Sequence, residues 1–373
     1  MSGRLFSARV RLLAFALLCV LVLTSSGCGA LGKALGLSKD LKDEKVDRID
    51  LSMVGATTLC PGAQVPLVVV TSLQDGTTLS SEGAGGGNVG WGNFLVEVTG
   101  GALENGLLVV SDDPYVFLEG PAKVVVEAVG HPGKRSTLEL DVGYDCSFAA
   151  NFDGQRGSEG QPGQQGRAGD YGKDEQTSPS YAKPGGDGHA GGRGGSGGNG
   201  GDGQDGLRVQ ARVALVAHPK DGRPLLEVTA IASGIESRWL IDAESGSLEL
   251  SANGGDGGNG GSGGGGGSGG GGGTGVPPGN GADGGDGGDG GDGGNGGDGG
   301  VIDLVFSAEA SPYAERIRVA AYSGRAGSAG TAGFAGSGGN AYSGGTQGRS
   351  GQRGQDGQNG SPGQEGTVNS ATE

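Results

Sequence analysis

The chain has 373 residues, of which 91 are glycine and 5% aromatic, and a formal net charge of −16. That length allows two or three domains, but so much glycine with so few aromatics excludes one large packed core. The acidic balance repels phosphate backbones, so nucleic acid is not an expected partner.

Arg4, Arg9 and Arg11 precede an apolar run over 12–23 and then Ser25-Ser26-Gly27-Cys28. Twelve apolar residues are too few to span a bilayer, so 1–27 reads as a secretory signal. Ser25-Ser26-Gly27-Cys28 resembles the lipobox of bacterial lipoproteins, whose Cys is diacylated on its thiol and becomes the new N-terminus. Ser25 stands where that family usually carries Leu, and ordinary cleavage without lipid is the alternative. Gly29 is not the Asp associated with inner-membrane retention, so the resemblance implies an outer-membrane or cell-surface protein. Losing 1–27 removes three arginines and no acid, which takes the charge to −19. No second apolar run reaches spanning length, so the membrane is expected as a partner only through the lipid at Cys28.

Cys19 would leave with the signal and Cys28 would take the lipid, leaving Cys60 and Cys146 as a pair in an oxidising compartment. A bridge between them closes a loop of about 87 residues and contributes about 4–5 kcal/mol on the chain-entropy model. Zinc is the alternative, but two Cys without a nearby His cluster make a poor site.

Residues 28–45 form a short charged tether. Over 46–150 short β-prone runs follow at 49–51, 65–71, 94–99, 107–110, 115–118, 123–129 and 137–142. Turn residues such as Gln74-Asp75-Gly76 and Glu104-Asn105-Gly106 separate them, and seven such runs predict a β-sandwich. The run Leu59-Cys60-Pro61-Gly62 through Val70, followed by Asp75-Gly76-Thr77, resembles the opening of bacterial immunoglobulin-like surface domains. Those domains usually hold their sheets without a bridge, so the Cys60–Cys146 pair is a departure.

From 151 to 373 glycine returns every third residue, in six tracts at 154–172, 185–206, 253–275, 279–300, 324–339 and 345–366. Short loops join them in pairs. Between the pairs lie β-prone segments over 207–251, with four strands, and 301–323, with two. Each pair of tracts runs out and back, and an even strand count returns the chain to the same end. The expectation is an all-β protein: a sandwich, then a six-stranded base carrying six glycine rods.

Three readings of the tracts compete. A flexible linker suits Gly/Ser-rich sequence, and 48 residues would then span about 38 Å on average. Collagen has support in 154–163 and 351–357, but a triple helix wants more proline than these tracts hold. The preferred reading is a bundle of polyglycine II helices, threefold and extended, whose bare glycine faces let neighbouring backbones exchange hydrogen bonds. In period and tract count this resembles the glycine-rich bundles of some antifreeze proteins and phage tail-fibre adhesins.

Asp283, Asp286, Asp289, Asp292 and Asp298 form a row about 9 Å apart along one rod edge. That spacing cannot enclose a Ca²⁺, which needs six to eight close oxygens, so a solvated edge is expected and no metal or other cofactor. Ala326, Ala329, Ala332 and Ala335 either pack on the next rod or present a flat row to ice or a polysaccharide. His131, His189 and His218 stand near no nucleophile, and Trp91 and Trp239 read as core. The functional expectation is a non-enzymatic surface lipoprotein with a structural or adhesive role. Its expected partners are extracellular polysaccharide or other cells, with a rod-face binder of polysaccharide or ice as the alternative.

Overall fold

A computed structural model describes residues 39–55, 59–176, 178 and 181–373. Cys28, the signal segment and residues 28–38 of the tether lie outside them. The protein is all-β and its described residues divide into two compact units, one running up to Cys146 and including Ala217–Arg223, the other from Ser147–Val216 and Pro224–Glu373.

The first unit contains β1 (Val46–Met53), β2 (Gln64–Leu73), β3 (Thr78–Ser80), β4 (Phe94–Thr99), β5 (Gly101–Glu104), β6 (Leu107–Val110), β7 (Ala122–Ala128) and β8 (Arg135–Leu140). They form two antiparallel sheets, β1-β2-β6-β5 with β3 against β2, and β4-β7-β8. In β7 alternate residues Ala122, Val124, Val126 and Ala128 are buried, the period-two pattern of a strand with one face on a core. The strand expected at 115–118 is instead a 3₁₀ turn over Pro114–Leu118. Pro114 opens that turn, and the Asp113 carboxylate accepts the Tyr115 amide at 3.0 Å, so the local cap overrides the apolar run. A parallel bridge between Leu59 and Val142 aligns the segments joined by the Cys60–Cys146 disulfide, with Cα atoms 6.0 Å apart.

The second unit contains β9 (Ser147–Asn151), β10 (Arg208–Ala217), β11 (Pro224–Ala232), β12 (Ile235–Asp242), β13 (Ser247–Ser251), β14 (Val301–Phe306), β15 (Ile317–Ala320) and β16 (Thr367–Thr372). These make a base of two sheets, β12-β11-β10-β14-β16 and β15-β13-β9, enclosing Val209, Val213, Val228, Leu248, Leu250 and Ile302. The base thus has eight strands where six are expected. Ser147–Asn151 pairs with β13 and so belongs to the second unit, which moves the boundary expected at 150/151 to 146/147. Thr367–Thr372 is exposed throughout and carries no apolar alternation, so nothing in its sequence marks it as a strand.

The six tracts are six extended rods. In each, backbone hydrogen bonds run to other rods and recur every third residue, which is the bundle arrangement and neither a linker nor a collagen. Numbered in chain order, rods 1, 3 and 5 lie parallel in one row, and rods 2, 4 and 6 lie parallel in a second row running the other way. Gly154 N–H, for example, donates to Asn253 O at 2.8 Å within the first row, while Gly255 N–H donates to Gln204 O at 2.8 Å between rows. Rods 3 and 4 each bond to four others, rods 2 and 5 to three, and rods 1 and 6 to two.

Glycine content follows that map. Rods 3 and 4 keep two glycines per triplet except at Ala282, because a Cβ at Gly288 would sit 1.9 Å from the Gly195 carbonyl oxygen and one at Gly287 2.1 Å from that of Gly333. Rods 1 and 6 keep one glycine per triplet and carry side chains at the other two positions. The collagen-like look of 154–163 and 351–357 is therefore the signature of an edge rod, whose side chains also deny a seventh rod a place to pack.

Every rod continues into a base strand, and the strands set the rods' register. Ser147 pairs with Ser247 in β9–β13, and the same separation of 100 residues links Asp153 to Asn253 and Asp174 to Thr274 along rods 1 and 3. The offset of 69 residues between Leu248 and Ile317 recurs between Asn259 and Ser328. Offsets of 93 for β10–β14 and 66 for β14–β16 likewise recur from Asp205 to Asp298 and from Asn280 to Thr346. The alignment fixed by apolar packing in the base runs to the far end without a slip.

Candidate functional site

The third residue of each triplet on rods 3 and 4 faces away from the centre of the bundle, and among the described residues the outward amides of the rods beside them find no backbone acceptor. A short side chain on the neighbouring parallel rod supplies one. On rod 4, Asn280, Asp283, Asp286, Asp289, Asp292, Asn295 and Asp298 each place Oδ1 2.6–2.8 Å from a rod 6 amide, those of Thr346, Arg349, Gln352, Gln355, Gln358, Ser361 and Gln364. The aspartate row expected to be a solvated edge thus also satisfies the backbone of the next rod. The sequence carried a signal for this: the third position of rod 4 uses only Asp, five times, and Asn, twice, and never Glu or Ser, as a fixed short reach requires. On the opposite face Asn253, Asp256 and Asn259 do the same for Tyr322, Arg325 and Ser328.

Zipped in this way, the bundle holds its loops at the end away from the base. Those loops, 173–184, 275–279 and 340–344, are bonded to one another and to the rods: Val276 N–H donates to Lys183 O at 2.8 Å and Gly185 N–H to Pro277 O at 3.0 Å. Thr274 gives its amide and its hydroxyl to Asp174 at 2.7 and 3.0 Å, and these bonds, the amide's first, hold the Asp174 carboxyl below its ordinary range. On this braced platform Tyr171, Tyr181 and Tyr342 are 81%, 62% and 57% exposed, with Val276 beside them. Lys183 Nζ stands 5.5 Å over the Tyr181 ring. Phe334 is exposed two triplets in from the same end, and the Tyr171 ring lies over Gly271 of rod 3. Among the described residues, the strongly exposed aromatic side chains are these four and Tyr322, which is 64% exposed at the base end, just before rod 5. Such rings give large contact area at low conformational cost, and tyrosine adds a hydroxyl that can donate or accept.

The other sequence candidates are placed as follows. Ala332 is buried and Ala326, Ala329 and Ala335 half-buried against rod 6, where Asn359 and Asp356 accept the amides of Ala329 and Ala332. His131 Nε2 lies 2.7 Å from Leu41 O, and His189 exchanges backbone bonds with rods 1 and 3. Trp91 is buried in the first unit and Trp239 packs on the core of the base. The sequence reading missed a cluster in the first unit, where buried His218 meets Asp221 at 2.8 Å and Arg223 covers the Tyr144 ring at 5.4 Å. Burial pushes Tyr144 up to about 12 against the pull of Arg223, and its hydroxyl donates to Pro114 O. Among the described residues no group of three His, Cys, Asp or Glu side chains is placed to hold a metal ion. The chain matches no protein-family model, no curated protein and no solved structure.

Proposed function

We propose that this is a non-enzymatic bacterial surface lipoprotein, anchored by lipid at Cys28, that uses the glycine-rod bundle as a rigid adhesive head. The observation that carries the adhesive reading is the grouping of exposed Tyr171, at the tip of rod 1, with exposed Tyr181 and Tyr342 on hydrogen-bonded loops at the same end of a stiff support. Aromatic side chains fixed before contact lose little entropy on binding, so a small loop platform can hold a partner surface. In this reading the first unit is an immunoglobulin-like spacer. Among the described residues no helix is long and apolar enough to cross a membrane; in this reading the lipid at Cys28 supplies the attachment. The partner class is extracellular polysaccharide or the surface of another cell.

The test is adhesion of bacteria carrying the native chain or a Tyr171→Ala, Tyr181→Ala, Tyr342→Ala triple variant, with surface display measured in parallel. Loss of adhesion at equal display supports the loop end as the contact, and unchanged adhesion overturns it. The second reading, a polysaccharide lying along the face of rods 1, 3 and 5, is favoured by exposed Phe334 and by the Tyr171 ring over Gly271. Phe334→Ala separates the two, because it should abolish glycan-array binding in the face reading and leave it intact in the loop reading.

A further inference from the structure

Asparagine followed by glycine is the dipeptide most prone to spontaneous deamidation, and this chain has seven: one at Asn105–Gly106, and six on the rods, starting at Asn199, Asn253, Asn259, Asn280, Asn295 and Asn359. In the reaction the glycine nitrogen gives up its proton and attacks the asparagine Cγ. The Cγ–Nδ2 bond breaks and ammonia leaves with the proton. Water then opens the resulting succinimide at either carbonyl, giving an aspartyl or an isoaspartyl residue. The glycine N–H must therefore be free, and the side chain must be able to swing onto it.

On the rods both groups are held by the neighbouring rod. At all six sites the glycine N–H donates to a carbonyl oxygen across the gap at 2.8–3.1 Å, as Gly254 does to Tyr322 and Gly281 to Thr346. At the same six sites the asparagine Oδ1 accepts a backbone amide at 2.7–2.9 Å. Asn105–Gly106 differs in each respect. It is the two-residue turn between β5 and β6, with φ of +50° and +85°, and Asn105 is exposed. Among the described residues no hydrogen bond holds the Asn105 side chain or the Gly106 N–H.

We propose that Asn105 is the chain's site of spontaneous deamidation, and that the bundle chemically protects the six rod asparagines by clamping both reacting groups. The protection matters to the fold, because an isoaspartyl linkage lengthens the backbone and would break the register of a rod. A surface protein that is not replaced quickly gains lifetime from it.

The experiment is peptide mapping by mass spectrometry of the intact protein after incubation at mildly alkaline pH, beside the same protein unfolded in denaturant. Protease resistance of the bundle is followed throughout. With the bundle protease-resistant, Asn105 should convert about a hundredfold or more faster than any rod site, since those react only through local opening. In denaturant all seven should converge. Asn105→Gln should remove nearly all conversion from the folded protein, and Gly288→Val, which forces two rods apart, should release the rod sites. Rod sites converting at the unfolded rate while the bundle resists protease would overturn the proposal, as would Asn105 converting no faster than they do.

Discussion

Asp286 shows how much one side chain can do at the surface. Its Oδ1 accepts the Gln352 amide at 2.7 Å, an acceptor function that asparagine reproduces and alanine does not. Asp286→Asn should leave the melting temperature almost unchanged, whereas Asp286→Ala should cost up to about 1 kcal/mol, the worth of one exposed hydrogen bond. Equal melting temperatures for the two variants would show that water replaces the ladder at no cost. Asp303 ties three strands, accepting from Asn369 on β16 at 2.7 Å and from Arg208 on β10 at 2.8 Å. These bonds, with Asn369 first, hold its carboxyl below the ordinary 3.8. A depressed carboxyl stabilises the folded state above its unfolded pKa, and the contribution disappears as pH falls from about 3.8 through the lower folded value. Acid unfolding of the base should therefore be less steep in Asp303→Asn, as circular dichroism across that range would register.

Among the elements, the rods separate positions that tolerate a Cβ from positions that do not. Gly288→Val would drive a branched side chain into the Gly195 carbonyl of rod 2 and should cost about 3 kcal/mol or more, with loss of protease resistance. Gln352→Val, on an edge rod and facing out, should behave like the parent in the same digestion. The first unit depends on a different device. The Cys60–Cys146 bridge spans 86 residues, so replacing both with Ala should destabilise that unit by up to about 4–5 kcal/mol. Differential scanning calorimetry should show one transition move and the bundle's stay in place.

For the whole molecule, the lipid reading of Cys28 rests on the end of the signal segment and on the shortage of apolar runs elsewhere. Cys28→Ser should move the protein from the detergent phase to the aqueous phase in a partition assay, and no movement would remove the anchor. A head held at a surface needs stiffness more than a large core. The bundle obtains it from repeated backbone bonding, which answers the high entropy cost of ordering so much glycine.

Much of this architecture is legible in one dimension. The threefold period, the six tracts and the strands between them follow from local chain geometry, since an extended threefold helix repeats every three residues wherever it lies. The triplets also mark the two central rods, with two glycines, and the two outermost, with one, although 154–163 read on its own looks like collagen and rods 2 and 5, each with three partners, differ in glycine content. Three things were decided only in space. Thr367–Thr372 becomes a strand because β14 offers it an edge, not because its own residues alternate. The run at 115–118 becomes a turn because Asp113 and Pro114 cap it. The aspartate row acquires its structural role because a rod 66 residues later in the chain, aligned by β14 and β16, brings an unpaired amide to each carboxylate. Period and composition determine which backbone groups a rod leaves open; only the packing of the base determines which partner meets them.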